Sequence, residues 1–137
     1  MIAPDTSVMF AAFAPWHVGH PVAHDLVSAT SSRRLIAHVA FETTSTLSRM
    51  PEGERIAARV VHQALDLLFP DDWLQLDAVS ARRALATAVD AGIRGGALYD
   101  AVISATAAAH GARLVTFDRR GLATYEAMGV EVEVLAA

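Results

Sequence analysis

The chain has no cysteine and no lysine: all eleven of its basic residues are arginine. Without cysteine there is no disulfide framework and no thiolate metal site. Without lysine there is no Gly-Lys-Ser/Thr phosphate loop. Proline and glycine are scarce, at 5 and 8 of 137 residues, while 53% of the chain is hydrophobic. That balance excludes a disordered chain and describes one compact domain, residues 1–137. No apolar run is long enough to span a bilayer, because charges interrupt each one. No basic segment leads into an apolar stretch with a small-residue cleavage site, so no secretory signal is read. A cytoplasmic protein without membrane association is expected. The net charge of −4 argues against a general polyanion-binding surface. Four acids clustered at one place would account for that charge, and a bound cation would offset them.

The stretch from Gly95 to Asp118 organises the rest. Apolar Val102, Ile103 and Ala107 follow Asp100 at helical spacing. His110-Gly111 stops the helix, since glycine takes the left-handed conformation that closes a last turn. Arg113 to Phe117 reads as a short buried strand. A ten-residue helix runs roughly 15 Å, and a five-residue strand returns roughly 16 Å. The return brings Asp118 level with Asp100. In a parallel sheet both carboxylates then lie at the carboxyl ends of the strands, where open α/β sheets place their ligands.

Further strands are expected at Met1–Pro4, Leu35–Ala37, Trp73–Leu76 and Val130–Leu135. The last alternates apolar and acidic residues, as an edge strand with one wet face does. Helices are expected at Val8–Phe13, Val22–Ala29, His38–Arg49, Glu54–Phe69 and Ala78–Ala91, with a short one before Gly129. The Ser/Thr/Arg cluster ending at Arg34 reads as a loop. Strands alternating with helices predict an α/β fold with a short, mostly parallel sheet of about five strands.

Four acids meet one sheet edge on this scheme. Asp5 follows the first strand, Glu42 is one turn into the helix after the second, Asp118 follows the fourth, and Asp100 begins the helix before it. Singly each has a plain explanation: Asp5 as a helix cap, Glu42 as an acid favoured by the helix dipole. Together they repel and raise one another's pKa values. Sites that gather carboxylates gather them for cations, and oxygen-only ligands select hard ions such as Mg²⁺ or Mn²⁺.

Asp5-Thr6-Ser7 after a short strand, Glu42 in a helix, Tyr99-Asp100-Ala-Val-Ile-Ser-Ala-Thr-Ala and Leu114-Val-Thr-Phe-Asp118 together resemble the PIN-domain ribonucleases. More closely, the chain resembles VapC-type toxins of bacterial toxin–antitoxin pairs, over essentially its whole length. The last two motifs are the specific ones. Pro4 departs from the aliphatic residue usual there. The resemblance implies a three-layer α/β/α fold and metal-binding, catalytic carboxylates at Asp5, Glu42, Asp100 and Asp118. It implies supporting hydroxyls at Thr6 and Thr116. It further implies a Mg²⁺-dependent endoribonuclease, with Mn²⁺ as substitute, acting on tRNA or rRNA through a metal-activated water and leaving 5′-phosphate and 3′-hydroxyl ends. The implied partners are an RNA substrate, a VapB-type antitoxin and a second copy in a homodimer. Arg119 and Arg120 are candidates to grip substrate phosphate, or else solvated loop arginines. The alternative in another class is a PIN-fold protein-binding or scaffold domain with a metal site but little turnover.

Other signals point elsewhere or nowhere. His17, His20 and His24 are spaced for zinc, but Gly19 and Pro21 interrupt any single helix and no further ligand is near. A receiver-domain reading needs a lysine at the acid cluster. A haloacid-dehalogenase-type phosphatase needs a lysine and an aspartate where Ser7 stands. No G-x-G-x-x-G follows the first strand, so a dinucleotide site lacks its motif. Val60, Val61, Leu65 and Leu68 on the long helix are expected to leave apolar surface for a dimer.

Overall fold

A computed structural model describes residues 1–29 and 32–137. The loop expected up to Arg34 therefore falls partly, at positions 30 and 31, outside the described residues. Three strands form a parallel sheet in the order β1-β2-β3: β1 (Ile2–Pro4), β2 (Arg113–Thr116) and β3 (Val132–Val134). The helices are α1 (Thr6–Phe13), α2 (His20–Ser28), α3 (Ala37–Ser48), α4 (Ala58–Leu68), α5 (Ala78–Asp90), α6 (Ala97–Ala109) and α7 (Leu122–Ala127).

Among the described residues the expected five strands are three. Leu35–Ala37 and Trp73–Leu76 lie where strands were expected but shrink to one parallel bridge, Ile36 to Leu74, while Arg33 bridges Ile2. The cause is a change of partner within a few residues. Arg34 N–H bonds back to Ile2 O (3.0 Å), whereas Leu35 O and Ala37 N–H turn to Leu74 (2.8 Å each). The chain enters α3 at once, so neither pairing lengthens into a ladder.

Side chains alternate across β2. Leu114 joins the larger apolar core with Ile103 and Ala107 of α6, Leu47 of α3 and Leu65 of α4. Its neighbour Val115 joins a smaller cluster with Val8 and Ala11 of α1 and Ala23 of α2. Both faces of the sheet are thus covered by helices, which gives the three layers. β3, at the edge, keeps Glu133 exposed between half-buried Val132 and Val134, as its alternation requires.

Other boundaries differ for local reasons. Helix α4 starts at Ala58 and not Glu54. Glu54 and Arg55 N–H groups both bond Pro51 O, and Ile56 N–H reaches Leu47 O (3.1 Å), so the backbone there forms a turn and a docking strap. Helix α2 starts at His20, two residues earlier than expected. Pro21 sits in its first turn, where a missing N–H costs nothing, so His20 and His24 share one helix after all. Of the four residues expected to leave apolar surface, Val61 and Leu65 are core residues, Leu68 packs partly buried against the core and only Val60 is exposed; Leu67 of α4 and Val79, Leu85 and Val89 of α5 are among the other exposed apolar side chains. Gly111 closes α6 as read, with φ +67° and Ala112 N–H returning to Ala107 O at 2.9 Å.

Candidate active site

The carboxyl ends of β1 and β2 define the site. Asp5 follows β1 and its N–H bonds Val115 O of β2 at 2.9 Å. It caps α1: Asp5 Oδ1 accepts from Val8 N (3.2 Å) and from Ser7 Oγ (2.5 Å). Its other oxygen, Oδ2, accepts from the Tyr125 hydroxyl at 2.9 Å. Capping thus leaves Asp5 placed at the sheet edge where the site was expected. Pro4 pairs with Val115 in register and leaves the Asp5 carboxylate in place. Asp5 is only 3% exposed, and burial raises its pKa against the hydrogen bonds from Ser7, Thr116, Tyr125 and Val8 that lower it.

A chain of hydroxyls ties β1 to β2. Ser7 Oγ lies 3.3 Å from Thr116 Oγ1 and accepts from Phe117 N at 3.0 Å. Thr116 Oγ1 accepts from Asp118 N at 2.9 Å. Asp118 caps the turn Arg119–Gly121 by accepting from Arg120 N (2.9 Å), and the Arg120 guanidinium reaches the same oxygen at 3.5 Å. Ser7, Phe117, Asp118, Arg119 and Arg120 line one open cleft of about 450 Å³.

The other side of the site comes from helices. Glu42, in the second turn of α3, accepts from Thr6 Oγ1 at 3.4 Å. His38, one turn earlier, brings Nε2 within 3.2 Å of Glu42 Oε1, in ion-pair range but without hydrogen-bond geometry. Asp100 lies in the first turn of α6. Its pKa is raised to about 6, by burial first and then by the charges of Glu42, Asp5 and Asp118. Each of the other three carboxylates proposed from sequence is thus within electrostatic reach of Asp100. Among the described residues, no three acidic or histidine side chains form a finished cage for an ion. The donor set nevertheless fits a hard cation: all oxygen, open on one side, and mutually repelling until a positive charge arrives.

Sequence reasoning missed Tyr125, Ser7 and His38. Tyr125 is 1% exposed, and its hydroxyl pKa is raised by burial and by Asp5. A lone tyrosine in a six-residue helix carries no motif, and only its polar end in an apolar stretch hints at a buried partner. Ser7 stood in the Asp-Thr-Ser motif beside the hydroxyl that was chosen. The histidine triplet makes no metal set: His17 Nδ1 accepts from Gly19 N (2.9 Å) and His20 Nδ1 meets Ala11 O (2.8 Å). No helix among the described residues is long and apolar enough to cross a membrane.

The sequence model of the PIN domain matches residues 2–127. The chain belongs to the PIN-domain family, in its VapC ribonuclease branch. It is 45% identical to Ribonuclease VapC40 of Mycobacterium tuberculosis over 98% of this chain and 99% of that one. It is 35% identical to Ribonuclease VapC27 of the same organism, over 98% and 97%. Among solved structures, VapBC2 from Rickettsia felis, bound to a DNA fragment from its promoter, shares the fold with a TM-score of 0.70 at 16% identity, covering 99% of this chain and 100% of that one.

Proposed function

We propose that the chain is the RNA-cleaving toxin of a toxin–antitoxin pair, hydrolysing tRNA or rRNA to 5′-phosphate and 3′-hydroxyl ends with Mg²⁺, or Mn²⁺ in its place. The observation that carries this is the convergence of Asp5, Glu42, Asp100 and Asp118 from four separate elements: after burial, it is the charges of the other three that raise the Asp100 pKa to about 6. The names of the 45%- and 35%-identical relatives support RNA as the substrate.

Bound there, Mg²⁺ supplies acidified water and neutralises phosphate charge. The protein supplies the geometry. Asp5, Asp100 and Asp118 hold the cation, and Glu42 either joins them or orients the attacking water. Tyr125, Ser7 and Val8 N–H fix the Asp5 carboxylate, so its lone pairs already face their task. Thr116 fixes the Asp118 backbone, and Thr6 steadies Glu42. Arg119 and Arg120 line the cleft beside Asp118, where a guanidinium grips a substrate phosphate through paired hydrogen bonds.

A free nuclease needs restraint, and the VapBC2 structure supports a VapB-type partner. The cavity between α3 and α4, about 490 Å³ and lined by Ala40, Phe41, Leu65 and Trp73 among others, suits the apolar side chains of a partner's tail. An arginine from that tail would bridge the site's carboxylates in the place of a cation. The exposed Val79, Leu85 and Val89 of α5 suit a homodimer contact.

The test is cleavage of total cellular RNA by the purified protein, with cut ends mapped. Cleavage is expected to need Mg²⁺ or Mn²⁺, to stop with EDTA and to fail in Asp5→Asn. Undiminished cleavage in chelator, or by folded Asp5→Asn, refutes the assignment. Co-expression of the neighbouring gene's product is expected to relieve toxicity.

A further inference from the structure

Helix α3 turns one polar and aromatic stripe toward Tyr99 of α6. His38, Phe41, Glu42, Ser45 and Arg49 recur at three- and four-residue spacing, so they share a face. With Tyr99 they line a cavity of about 390 Å³. The His38 and Tyr99 rings stack in parallel, with centroids 5.3 Å apart and planes 11° apart. Tyr99 remains 57% exposed even so, and Phe41 is 75% exposed. Among the described residues His38 Nε2 makes no hydrogen bond, and its near neighbour is Glu42 Oε1 at 3.2 Å. Arg49 ends the stripe at the C-cap of α3, held to Ser45 Oγ at 3.2 Å.

We infer that this cavity is a base-stacking subsite, in which an unpaired nucleotide next to the scissile phosphate packs on Tyr99 while Arg49 meets a phosphate further along the strand. Three observations select RNA as the occupant. Glu42 belongs both to the acidic site and to this cavity, so the two are continuous. A step of seven positions along α3 carries Arg49 roughly 10 Å from Glu42, which places a cation away from the carboxylates and out of competition with their metal. The lining mixes an exposed aromatic ring with charged and polar side chains, Glu42, Ser45 and Arg49, which suits a base and its phosphate better than an apolar tail. The cavity between α3 and α4, by contrast, is walled mainly by apolar groups. The subsite rests on the RNA-cleaving function proposed above.

The probe is a single-stranded RNA carrying 2-aminopurine, whose fluorescence falls when the base stacks. It is added to protein with Asp100→Asn, so that turnover does not consume it. Binding is expected to quench the probe. Adding Tyr99→Ala is expected to abolish quenching and weaken binding about tenfold, the lower part of the range for one base–aromatic stack. Tyr99→Phe, which keeps the ring, is expected to retain both. Arg49→Ala is expected to leave quenching intact and to flatten the dependence of log affinity on log salt by about 0.7, one phosphate contact on a single strand. Circular dichroism checks that each variant folds. No quenching by the parent protein overturns the subsite, as does unchanged quenching with Tyr99→Ala or loss of quenching with Tyr99→Phe. So does an unaltered RNA affinity with a dimer lost in light scattering, which would give the stack to an interface between copies. Cleavage by the otherwise unaltered protein is scored separately. A protein that cleaves without quenching loses only the subsite, and one that quenches without cleaving loses the nuclease assignment and keeps the base-binding surface.

Discussion

Asp5 and Asp100 are two carboxylates of one site held in opposite ways. Asp5 stands on the sheet side, buried, with Ser7, Val8 N–H and Tyr125 all donating to it. Asp100 stands on the helix side, half-buried, where burial first and then the charges of Glu42, Asp5 and Asp118 oppose its ionisation. The sheet side is finished: its groups are oriented before any ligand arrives. The helix side stores repulsion that a cation relieves. In the proposed metal site the rigid half would fix where a cation sits and the strained half would draw it in.

The sharpest way to break the contrast is to neutralise each acid alone. Asp5→Asn and Asp100→Asn are both expected to lower RNA cleavage about a hundred- to thousandfold, the scale of several kcal/mol of lost charge stabilisation. Their melting temperatures in EDTA should move apart. Asp100→Asn relieves repulsion and should melt at or above the unaltered protein. Asp5→Asn keeps the helix cap but turns an amide donor toward Tyr125, and should melt lower. If both melt lower, repulsion is not what strains the helix side.

Tyr125→Phe removes one donor from the sheet side and touches no metal position. It should cost about 1–3 kcal/mol of stability, the penalty for a buried acceptor left unpaired. Cleavage or metal affinity should drop roughly 10–100-fold, as for supports of metal ligands elsewhere. Denaturant titration and metal-dependent kinetics read the two effects. Full activity would show that the Tyr125 contact does no positioning.

A smaller effect is written in pH. The Asp100 pKa is raised in the folded state from 3.8 to about 6. Between those values the folded protein binds the proton and the unfolded chain does not, so stability is lost as pH rises from about 4 to about 6. The same shift makes protons compete with the cation below pH 6, so metal affinity should climb through that range. Thermal melts of the protein and of Asp100→Asn in EDTA should converge at pH 4 and separate by pH 7. Saturating Mg²⁺ should close the separation for the unaltered protein. Parallel curves at every pH would remove Asp100 as the strained group.

The smallest change is expected at Arg120. Its guanidinium is almost fully exposed beside Asp118, and exposed pairs contribute at most about 1 kcal/mol. Arg120→Ala should leave the melting temperature nearly unchanged and flatten the salt dependence of RNA binding by about 0.7. An unaltered salt dependence would return Arg120 to a solvated loop arginine.

The same division decides what could be read from sequence. Asp5, Asp118 and Thr116 stand at strand ends, where chain order alone says which sheet edge they reach. Asp100 is placed by the length of α6 and the return of β2. The strands at Leu35–Ala37 and Trp73–Leu76 were overread because their apolar composition is real, while their backbone bonds divide between two neighbours. Tyr125 was invisible because its contact spans 120 positions and depends on how α7 leaves β2. The start of α4 was misjudged because Pro51 O captures two N–H groups that a helix would have used.

The bond from Tyr125 to Asp5 also has a meaning in time. β1 finds its neighbour in the sheet only when residues 113–116 exist, and Asp5 finds its last donor only at residue 125. At roughly 5–20 residues per second of synthesis, on the order of ten seconds separate the appearance of the first carboxylate from its completion. Throughout that interval the four carboxylates are not yet gathered at one edge. The order in which this fold can close holds back the candidate site until synthesis is almost complete.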